Sequence, residues 1–147
     1  MTENAAGIVA TYFDSWRAGD FAALRAVLAD DINALGPLSR TDRAEAHWQE
    51  IVRLSQIMTD LVVQESFVEG LDVLTWFELH TRVTPSIPIA HWSHIENGKL
   101  TRIHMVFDGR PFSAIGWTDP AGRPARRCSR EREFLSRDIP LTTPDRP

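Results

Sequence analysis

The chain has 147 residues, of which 43% are hydrophobic and 24% are charged, a composition typical of one globular domain and unlike that of disordered or fibrous chains. The net charge of −4 argues against a nucleic-acid binder, because contacts with phosphates need a basic surface. No apolar run approaches the ~18 residues that span a bilayer, and the N-terminus lacks a signal-peptide pattern. The chain has one cysteine, Cys128, so an internal disulfide is excluded. We therefore expect a cytoplasmic protein with no membrane partner.

Apolar residues recur with helical spacing at the start of the chain. The repeat of Tyr12 and Trp16, with the apolar residues beside them, predicts a first helix. Gly19 is typical of a residue that ends a helix. Asp20 is a good N-cap for a second short helix, which we expect to end near residues 30–31.

A strand and a third helix are predicted next. The strand is expected over residues 32–35, because Gly36 and Pro37 then break the pattern. Asp42 and Glu45 have the spacing of a capping box, which predicts that the third helix starts there. The residues predicted to share its buried face are Trp48, Ile51, Val52, Ser55 and Met58.

The second half of the chain has the two-residue period of strands. Residues 61–68 and 73–82 predict two strands joined by a turn. A third strand follows, and Asn97-Gly98 is a strong hairpin signal that predicts a fourth strand directly after it. The order α-α-β-α-β-β-β-β favours an α+β fold with a mostly antiparallel sheet and helices on one face.

The two-residue turn also predicts the register of the last hairpin. If Glu96 pairs with Lys99 and the ladder is regular, His94 lies opposite Thr101, and alternate side chains share a face. Because both faces are partly apolar, we expect the helices to cover one and a symmetric second subunit to cover the other. The predicted pocket face carries Trp92, His94, Ile103, Met105 and Phe107, and the opposite face carries His91, His104 and Asp108.

The end of the chain differs in composition from the rest. Residues 119–147 contain seven arginines, five acidic residues and five of the nine prolines. We therefore predict one domain over residues 1–117 and a Pro- and Arg-rich tail over 118–147. The tail is expected to be a solvated appendage or an arm that covers a pocket mouth or a partner subunit.

Four segments of the chain resemble the SnoaL-like branch of the nuclear transport factor 2-like superfamily. They are YFDSWRAGD, AVLADD, DVLTWFELHT and ENGKLTRIHMVFDGRPF, which start at Tyr12, Ala26, Asp72 and Glu96. The resemblance covers residues 5–112. It implies a curled, mostly antiparallel sheet wrapped by three N-terminal helices, a cystatin-like cone with an apolar pocket that forms homodimers through the outer sheet face. The superfamily contains isomerases, cyclases, epoxide hydrolases and dehydratases as well as proteins that only bind.

The resemblance also implies candidate catalytic residues. In the ketosteroid isomerase pattern the donor tyrosine falls on Tyr12, whereas the base carboxylate and the protonated acid would fall at Gly36 and near Ala90 and are absent. In the polyketide cyclase pattern the acid–base aspartate falls on Asp108, and a histidine on the preceding strand falls on His94. The Asp-Arg-Asp set of a limonene-type epoxide hydrolase cannot be assembled.

Each candidate also has an ordinary structural interpretation. Asp108 is suited to capping a turn or pairing with Arg110, and the predicted register puts it on the face opposite His94, so that only a bulge would bring the two together. Tyr12 is typical of a core residue whose hydroxyl needs a partner. The residues predicted to bind substrate, most of them equally typical of a core, are Trp16, Trp48, Trp76, His80, Trp92, Ile103, Met105 and Phe107.

Two functions from different classes follow from this pattern. The first is a cofactor-free enzyme that isomerises, cyclises, dehydrates or opens an epoxide on a hydrophobic cyclic molecule. Asp108 would be its acid–base group, His94 a relay or donor, and Tyr12 the donor to a developing oxyanion. The second is a non-catalytic dimer whose pocket binds an apolar ligand. We expect no metal, because the histidines supply no three convergent ligands, and His91 and His104 are predicted to be neighbours on the dimer face.

Overall fold

A computed structural model describes residues 4–119 and 122–123 of the chain. These residues form four helices and six strands, two elements more than predicted, because a short second strand and a fourth helix are added. The elements are α1 (Ala5–Ala18), α2 (Phe21–Ala26), β1 (Leu28–Leu35), β2 (Arg40–Thr41), α3 (Ala44–Ser55), β3 (Met58–Glu69), β4 (Asp72–Thr81), β5 (Ile87–Glu96), β6 (Lys99–Val106) and α4 (Arg110–Ala114).

The strands form one curled sheet in the order β2-β1-β6-β5-β4-β3. β1 runs parallel to β6, and the other neighbouring strands are antiparallel. Alternate residues of β4, among them Phe77, are buried beneath the helices, and the rings of Phe13 and Phe77 lie 5.0 Å apart. The predicted α+β fold is thereby confirmed. Among the described helices, none is long and apolar enough to cross a membrane.

The ends of α1 and the start of α2 confirm the sequence signals. Gly19 has the left-handed φ of 73° that glycine tolerates, and its N–H donates to the carbonyls of Ser15 and Trp16. Asp20 caps α2, because its carboxylate accepts a hydrogen bond from the Ala23 N–H at 3.2 Å. Gly19 and Asp20 thus form a two-residue turn between α1 and α2.

Removing the Asp20 cap is expected to destabilise the protein modestly. Asp20→Ala leaves an N–H at the start of α2 without its acceptor and should cost about 1 kcal/mol of the free energy of unfolding, measured by urea denaturation. Asp20→Asn keeps an acceptor oxygen and should stay within about 0.5 kcal/mol of the unmodified protein. Equal stability of the Ala and Asn variants would contradict the capping role.

The prediction that α2 continues to residues 30–31 is wrong. The helix ends at Ala26, and β1 begins at Leu28. The Leu100 N–H donates to the Val27 carbonyl at 2.8 Å, and Leu28 pairs with Leu100. Burial of Leu28 against β6 therefore overrides the local helical pattern.

The predicted start of α3 is wrong, and its buried face is only partly the predicted one, because Ile51 is buried and Trp48 and Met58 are partly buried against the core. Arg43 occupies the N-cap in an extended conformation and makes no side-chain capping bond, so the capping box does not form. The buried residues of the helix are Ala44, His47 and Ile51, a stripe next to the predicted one. Trp48 turns toward α2 instead, where its indole N–H donates to the Phe21 carbonyl at 2.9 Å.

The register of the β5–β6 hairpin departs from the regular ladder after two pairs. Glu96 pairs with Lys99 and Ile95 with Leu100, as predicted. A β-bulge follows, so that His94 lies opposite Arg102 instead of Thr101. The extra residue in β6 lets Leu100 and Ile103, three positions apart, both be fully buried.

The bulge reverses the faces that had been predicted for β5, whereas Ile103 and Met105 of β6 lie on the inner face as predicted. His91 and Ser93 point inward and are fully buried, whereas Trp92 lies on the outer face opposite His104. The predicted pairing of His91 with His104 is therefore wrong. A single inserted residue has this effect because the side chains of a strand alternate with a period of two.

The last described residues pack over the end of α3. The rings of Phe112 and Trp117 are 5.8 Å apart, and the Arg53 guanidinium lies 4.2 Å from the centre of the Trp117 ring. Of the predicted tail 118–147, only 118–119 and 122–123 fall within the described residues, and Cys128 lies outside them.

Candidate functional site

A cavity of about 40 Å³ lies between the helices and the inner face of the sheet. Its wall is formed by residues from two helices and four strands, namely α1, α3, β1, β2, β5 and β6. The cavity therefore exists only when the sheet curls around the helices. Gly36 lies in the wall beside Met105. The polar side chains that line the cavity are Ser39, Thr41, His47 and Glu50, and the larger apolar ones are Trp16, Ile51, Leu54, Ile89 and Met105.

Glu50 is the partly buried carboxyl group of the cavity wall. The Ser39 hydroxyl donates a hydrogen bond to its Oε2 at 2.5 Å. Burial raises the pKa of Glu50, the Ser39 bond and the positive charge of Arg53 oppose that rise, and the negative charge of Asp119 adds to it. A carboxyl group with a raised pKa exchanges protons closer to neutral pH, which suits a general acid or base.

His47 lies one helical turn before Glu50 and is fixed by Tyr12. The Tyr12 hydroxyl and His47 Nε2 are 2.9 Å apart, and both side chains are buried. Burial lowers the pKa of His47 to about 4 and raises the pKa of Tyr12 well above its usual value. Both groups are therefore uncharged near neutral pH, and the Tyr12 bond orients a neutral imidazole at the cavity wall.

A second buried histidine lies behind this pair. His91 is fully buried, its Nδ1 is 3.0 Å from the Ser93 hydroxyl, and its ring centre is 5.5 Å from that of Tyr12. Burial, with a smaller effect of His47, lowers the pKa of His91 to about 3. The interior thus contains two neutral histidines whose rings both neighbour the ring of Tyr12.

The structure places three of the predicted site residues in the cavity wall or directly behind it. Trp16 and Met105 line the cavity, and Tyr12 is connected to it through His47. Ile103 is fully buried in the core, and Phe107 is partly buried against the core near Gly36. None of these positions tests the catalytic or binding roles, which stay predictions.

Asp108 and His94 lie outside the cavity and do not meet Tyr12. Asp108 is exposed and forms an ion pair with Arg110, with 2.7 Å between its Oδ2 and Nη2. The hydrogen bonds from Arg110 lower the pKa of Asp108 to about 2. The surroundings of Asp108 are therefore those of the ordinary structural interpretation, a turn residue paired with Arg110. His94 lies on the outer face, where its Nδ1 is 2.6 Å from Asp72 Oδ1.

The remaining predicted binding residues are also outside the cavity, which is lined by none of Trp48, Trp76, His80 and Trp92. Trp76 and Trp92 lie on the outer face of the sheet, as does His80 at the end of β4, because the buried residues of these strands are the ones between them. The His80 ring accepts or donates a bond with the Ser86 hydroxyl at 2.8 Å. Their predicted place in the pocket is corrected, and the physical reason for Trp92 is the bulge in β6.

Sequence reasoning missed His47 and Glu50. They precede Ile51 and Leu54 at helical spacing, and all four line the cavity. The available signal was this stripe of α3, in which two ionisable residues share a face with two large apolar residues. The neighbouring stripe is more apolar, which is why it was predicted to be buried. In the described ranges, no three His, Cys, Asp or Glu side chains are grouped as a metal site would require.

Comparison with known proteins identifies the architecture. The SnoaL-like domain family matches residues 9–103 of the chain. No match is found among curated proteins. The match to the family includes α1, α3 and most of the sheet, and therefore most of the cavity wall.

Solved structures share the fold at low sequence identity. An NTF2-like protein of unknown function from Cytophaga hutchinsonii is 21% identical, with a TM-score of 0.68 over 76% of this chain and 96% of that one. An LEH-like epoxide hydrolase from M. tuberculosis is 18% identical, with a TM-score of 0.64 over 75% and 86%. A de novo designed protein with a curved β-sheet is 16% identical, with a TM-score of 0.66 over 75% and 89%. These likenesses concern the fold.

Proposed function

Because the chain belongs to the SnoaL-like domain family of the nuclear transport factor 2-like superfamily, we propose that its cavity is the active site of a cofactor-free acid–base enzyme acting on a hydrophobic small molecule. The observation that carries the proposal is the partly buried carboxyl group of Glu50, which lies in the wall of the cavity, is hydrogen-bonded by Ser39 and has a raised pKa. The reaction is of the isomerase, cyclase, dehydratase or epoxide-hydrolase type. Perturbed ionisable groups that line a cavity are typical of such sites.

Glu50 would transfer the proton. As the carboxylate it accepts a proton from a carbon acid or from a water molecule, and as the acid it returns the proton to the product. The Ser39 hydroxyl stabilises the carboxylate form through its 2.5 Å hydrogen bond. The neutral His47 imidazole, one turn earlier on α3, would hydrogen-bond a substrate oxygen, and Tyr12 would act as a positioning residue that holds the ring.

Glu50 replaces Asp108 as the proposed acid–base group for a physical reason. Asp108 is exposed, and Arg110 lowers its pKa, so it would hold a proton poorly near neutral pH. Glu50 has the opposite environment. The fold shared with the LEH-like epoxide hydrolase from M. tuberculosis supports a reaction on a small molecule.

The test is a search for turnover in heavy water. Purified protein is incubated with cyclic ketones, epoxides and β-hydroxy ketones in D₂O, and nuclear magnetic resonance follows deuterium exchange next to the carbonyl, ring opening and dehydration. We expect one class to be converted in proportion to protein concentration. Saturable binding without exchange or conversion would contradict the enzyme and favour the alternative, a non-catalytic dimer that binds an apolar ligand.

We also propose that a second copy of the chain covers the outer sheet face. This face exposes large apolar side chains, and 71% of Val106 and 61% of Phe67 are accessible, which is unusual for a free surface. Its charges are divided, with Glu65 and Glu78 near β3 and Arg102 on β6. A two-fold axis would bring the acidic side of one copy to the basic side of the other.

A charge on this face is expected to separate the subunits. Val106→Glu puts a carboxylate on the outer face without disturbing the core, because the native side chain is already exposed. We expect twice the monomer mass for the unmodified protein and the monomer mass for the variant by light scattering. Val83→Glu is the matched control, since Val83 is exposed in the β4–β5 connection, and it should stay dimeric. A monomeric unmodified protein would refute the dimer.

A further inference from the structure

Arg53 lies one helical turn after Glu50 on α3 but does not form an ion pair with it. Side chains three positions apart on a helix are neighbours, and an acidic residue followed by a basic one at this spacing is suited to an ion pair. Among the residues that the structure describes, no ion pair joins Arg53 and Glu50. The guanidinium is therefore held by other contacts.

Two contacts from the chain beyond α4 hold the Arg53 guanidinium. Its central carbon lies 4.2 Å from the centre of the Trp117 ring, within the range of a cation–π interaction. Its Nη2 donates a hydrogen bond to the Thr118 carbonyl. A carboxylate would be a stronger partner for a guanidinium than either of these groups. The two contacts therefore direct Arg53 away from the nearby Glu50 carboxyl group.

The segment that provides these contacts has one buried anchor and an exposed connection. Phe112 is 1% exposed and belongs to the hydrophobic core. Residues 113–116 are exposed, and Gly116 has a positive φ of 75°. Trp117 is partly buried again, and its N–H donates to the Phe112 carbonyl at 3.0 Å. A connection with so little buried surface allows residues 117–119 to detach from α3 while Phe112 stays in the core.

The position of Arg53 matters because of the other charges near Glu50. The ionisable side chains around Glu50 are Tyr12, His47, Arg53 and Asp119. Burial leaves the first two uncharged near neutral pH. Arg53 lowers the pKa of Glu50, and Asp119, whose Oδ2 pairs with Arg123 Nε at 2.8 Å, raises it by a smaller effect. Arg53 is therefore the charged neighbour with the larger effect on the Glu50 proton.

We propose that Trp117 is a positioning residue that holds Arg53 out of an ion pair with Glu50, so that Glu50 is available for proton transfer while residues 117–119 are docked on α3. This inference rests on the proposed function in that it takes Glu50 to be the reacting group. When residues 117–119 detach, Arg53 pairs with Glu50 across one helical turn. An ion-paired carboxylate is stabilised in its charged form and therefore exchanges its proton poorly near neutral pH.

The experiment measures the protonation of Glu50 directly and needs no turnover. The side-chain carboxyl signals of isotope-labelled glutamate in the full chain are followed by nuclear magnetic resonance from about pH 4.5 to about pH 9. The Glu50 signal is assigned by its loss in Glu50→Gln. Trp117→Leu removes the aromatic ring and should lower the titration midpoint of Glu50 by about 1 pH unit, because an opposite charge within ~4–6 Å favours the carboxylate.

Trp117→Phe is the matched control for this substitution. Phenylalanine keeps an aromatic face for the Arg53 guanidinium. The indole N–H that it removes is buried and has no partner within the described part of the chain. The midpoint of Glu50 should therefore stay within about 0.3 pH unit of that of the unmodified protein. An unchanged midpoint in Trp117→Leu, or an equal fall in both variants, would overturn the proposal.

A second pair of variants separates ion pairing from simple hydration of Glu50. Hydration would lower the midpoint whether or not Arg53 is present, and detachment would also remove the smaller effect of Asp119. If ion pairing is the main cause, the fall caused by Trp117→Leu should shrink to less than half in the Arg53→Gln background. A fall of half or more in that background would also overturn the proposal. Because the midpoints are measured without substrate, failure of this result and failure of the proposed catalytic role are observed separately.

Discussion

Glu50→Gln is expected to lower kcat/KM by at least about 100-fold on any substrate that the protein turns over, because proton transfer by a positioned side chain contributes ~10²–10⁴-fold. The amide keeps the size of the side chain and its place beside Ser39, but it does not ionise and therefore cannot act as a general acid or base. The rate is measured on the substrate class identified in heavy water. Retained activity in this variant would remove the basis of the proposed function.

Glu45→Gln is the matched control for this substitution. Glu45 is on the same helix but is exposed, and its Oε1 pairs with Arg25 Nε at 3.0 Å. Loss of an exposed ion pair costs ~1 kcal/mol or less of stability, and no part of Glu45 lines the cavity. Its kcat/KM should stay within about twofold of that of the unmodified protein.

The raised pKa of Glu50 also predicts how the effects of Glu50→Gln on kcat/KM and on stability vary with pH. If the carboxylate is the base, kcat/KM rises with pH through the raised pKa, and Glu50→Gln should abolish that limb of the profile. The contribution of Glu50 to the free energy of unfolding changes with pH in the opposite direction. The folded protein holds the proton to higher pH than the unfolded chain, so the stability is lost as pH rises through the raised pKa. Glu50→Gln should therefore be relatively more stable at pH 8 than at pH 4.5.

Acidification from pH 7 to pH 5 is expected to lower the free energy of unfolding by about 4 kcal/mol through His47 and His91 together. Burial holds their pKa values near about 4 and about 3 in the folded protein, whereas an unfolded histidine titrates near ~6.5. The unfolded chain therefore binds protons below pH 6.5 that the folded protein does not, and stability falls as pH falls through that window. The carboxyl group of Glu50 opposes this trend.

The measurement is a series of urea unfolding curves between pH 7 and pH 5. His91→Gln removes one of the two buried titrating groups and should reduce the loss of stability by about 2 kcal/mol, whatever its effect at pH 7. His104→Gln is the matched control, because His104 is exposed on the outer face, and its loss should equal that of the unmodified protein. Parallel curves for all three proteins would show that the fold does not exclude the charged form of His91.

Local signals in the sequence were sufficient for much of the fold. Gly19 and Asp20 end one helix and begin the next where their backbone and capping preferences predict, and Asn97-Gly98 forms the predicted hairpin turn, with both residues at positive φ. Each of these features depends on a few adjacent residues. The period of two in the second half likewise depends on neighbours along one strand, and it correctly predicted a mostly antiparallel sheet.

The candidate site depended on contacts that no local pattern contains. The bulge that turns His91 inward and Trp92 outward exists because Leu100 and Ile103 are both buried under the helices. His47 becomes a site residue because Tyr12, 35 positions earlier, meets its Nε2. A helix that is amphipathic in two neighbouring stripes does not by itself specify which stripe packs against the sheet.

The amino-acid sequence by itself therefore determined the order of eight of the ten elements and the Gly19 and Asn97-Gly98 turns, because these depend on propensities and spacing over short stretches, and the resemblance of four segments indicated the family. The tertiary structure alone decided which ionisable groups share the cavity and what their pKa values are. The physical reason is that burial, which raises the pKa of Glu50 and lowers that of His47, is a property of the packed wall and is absent from the isolated helix that carries both residues.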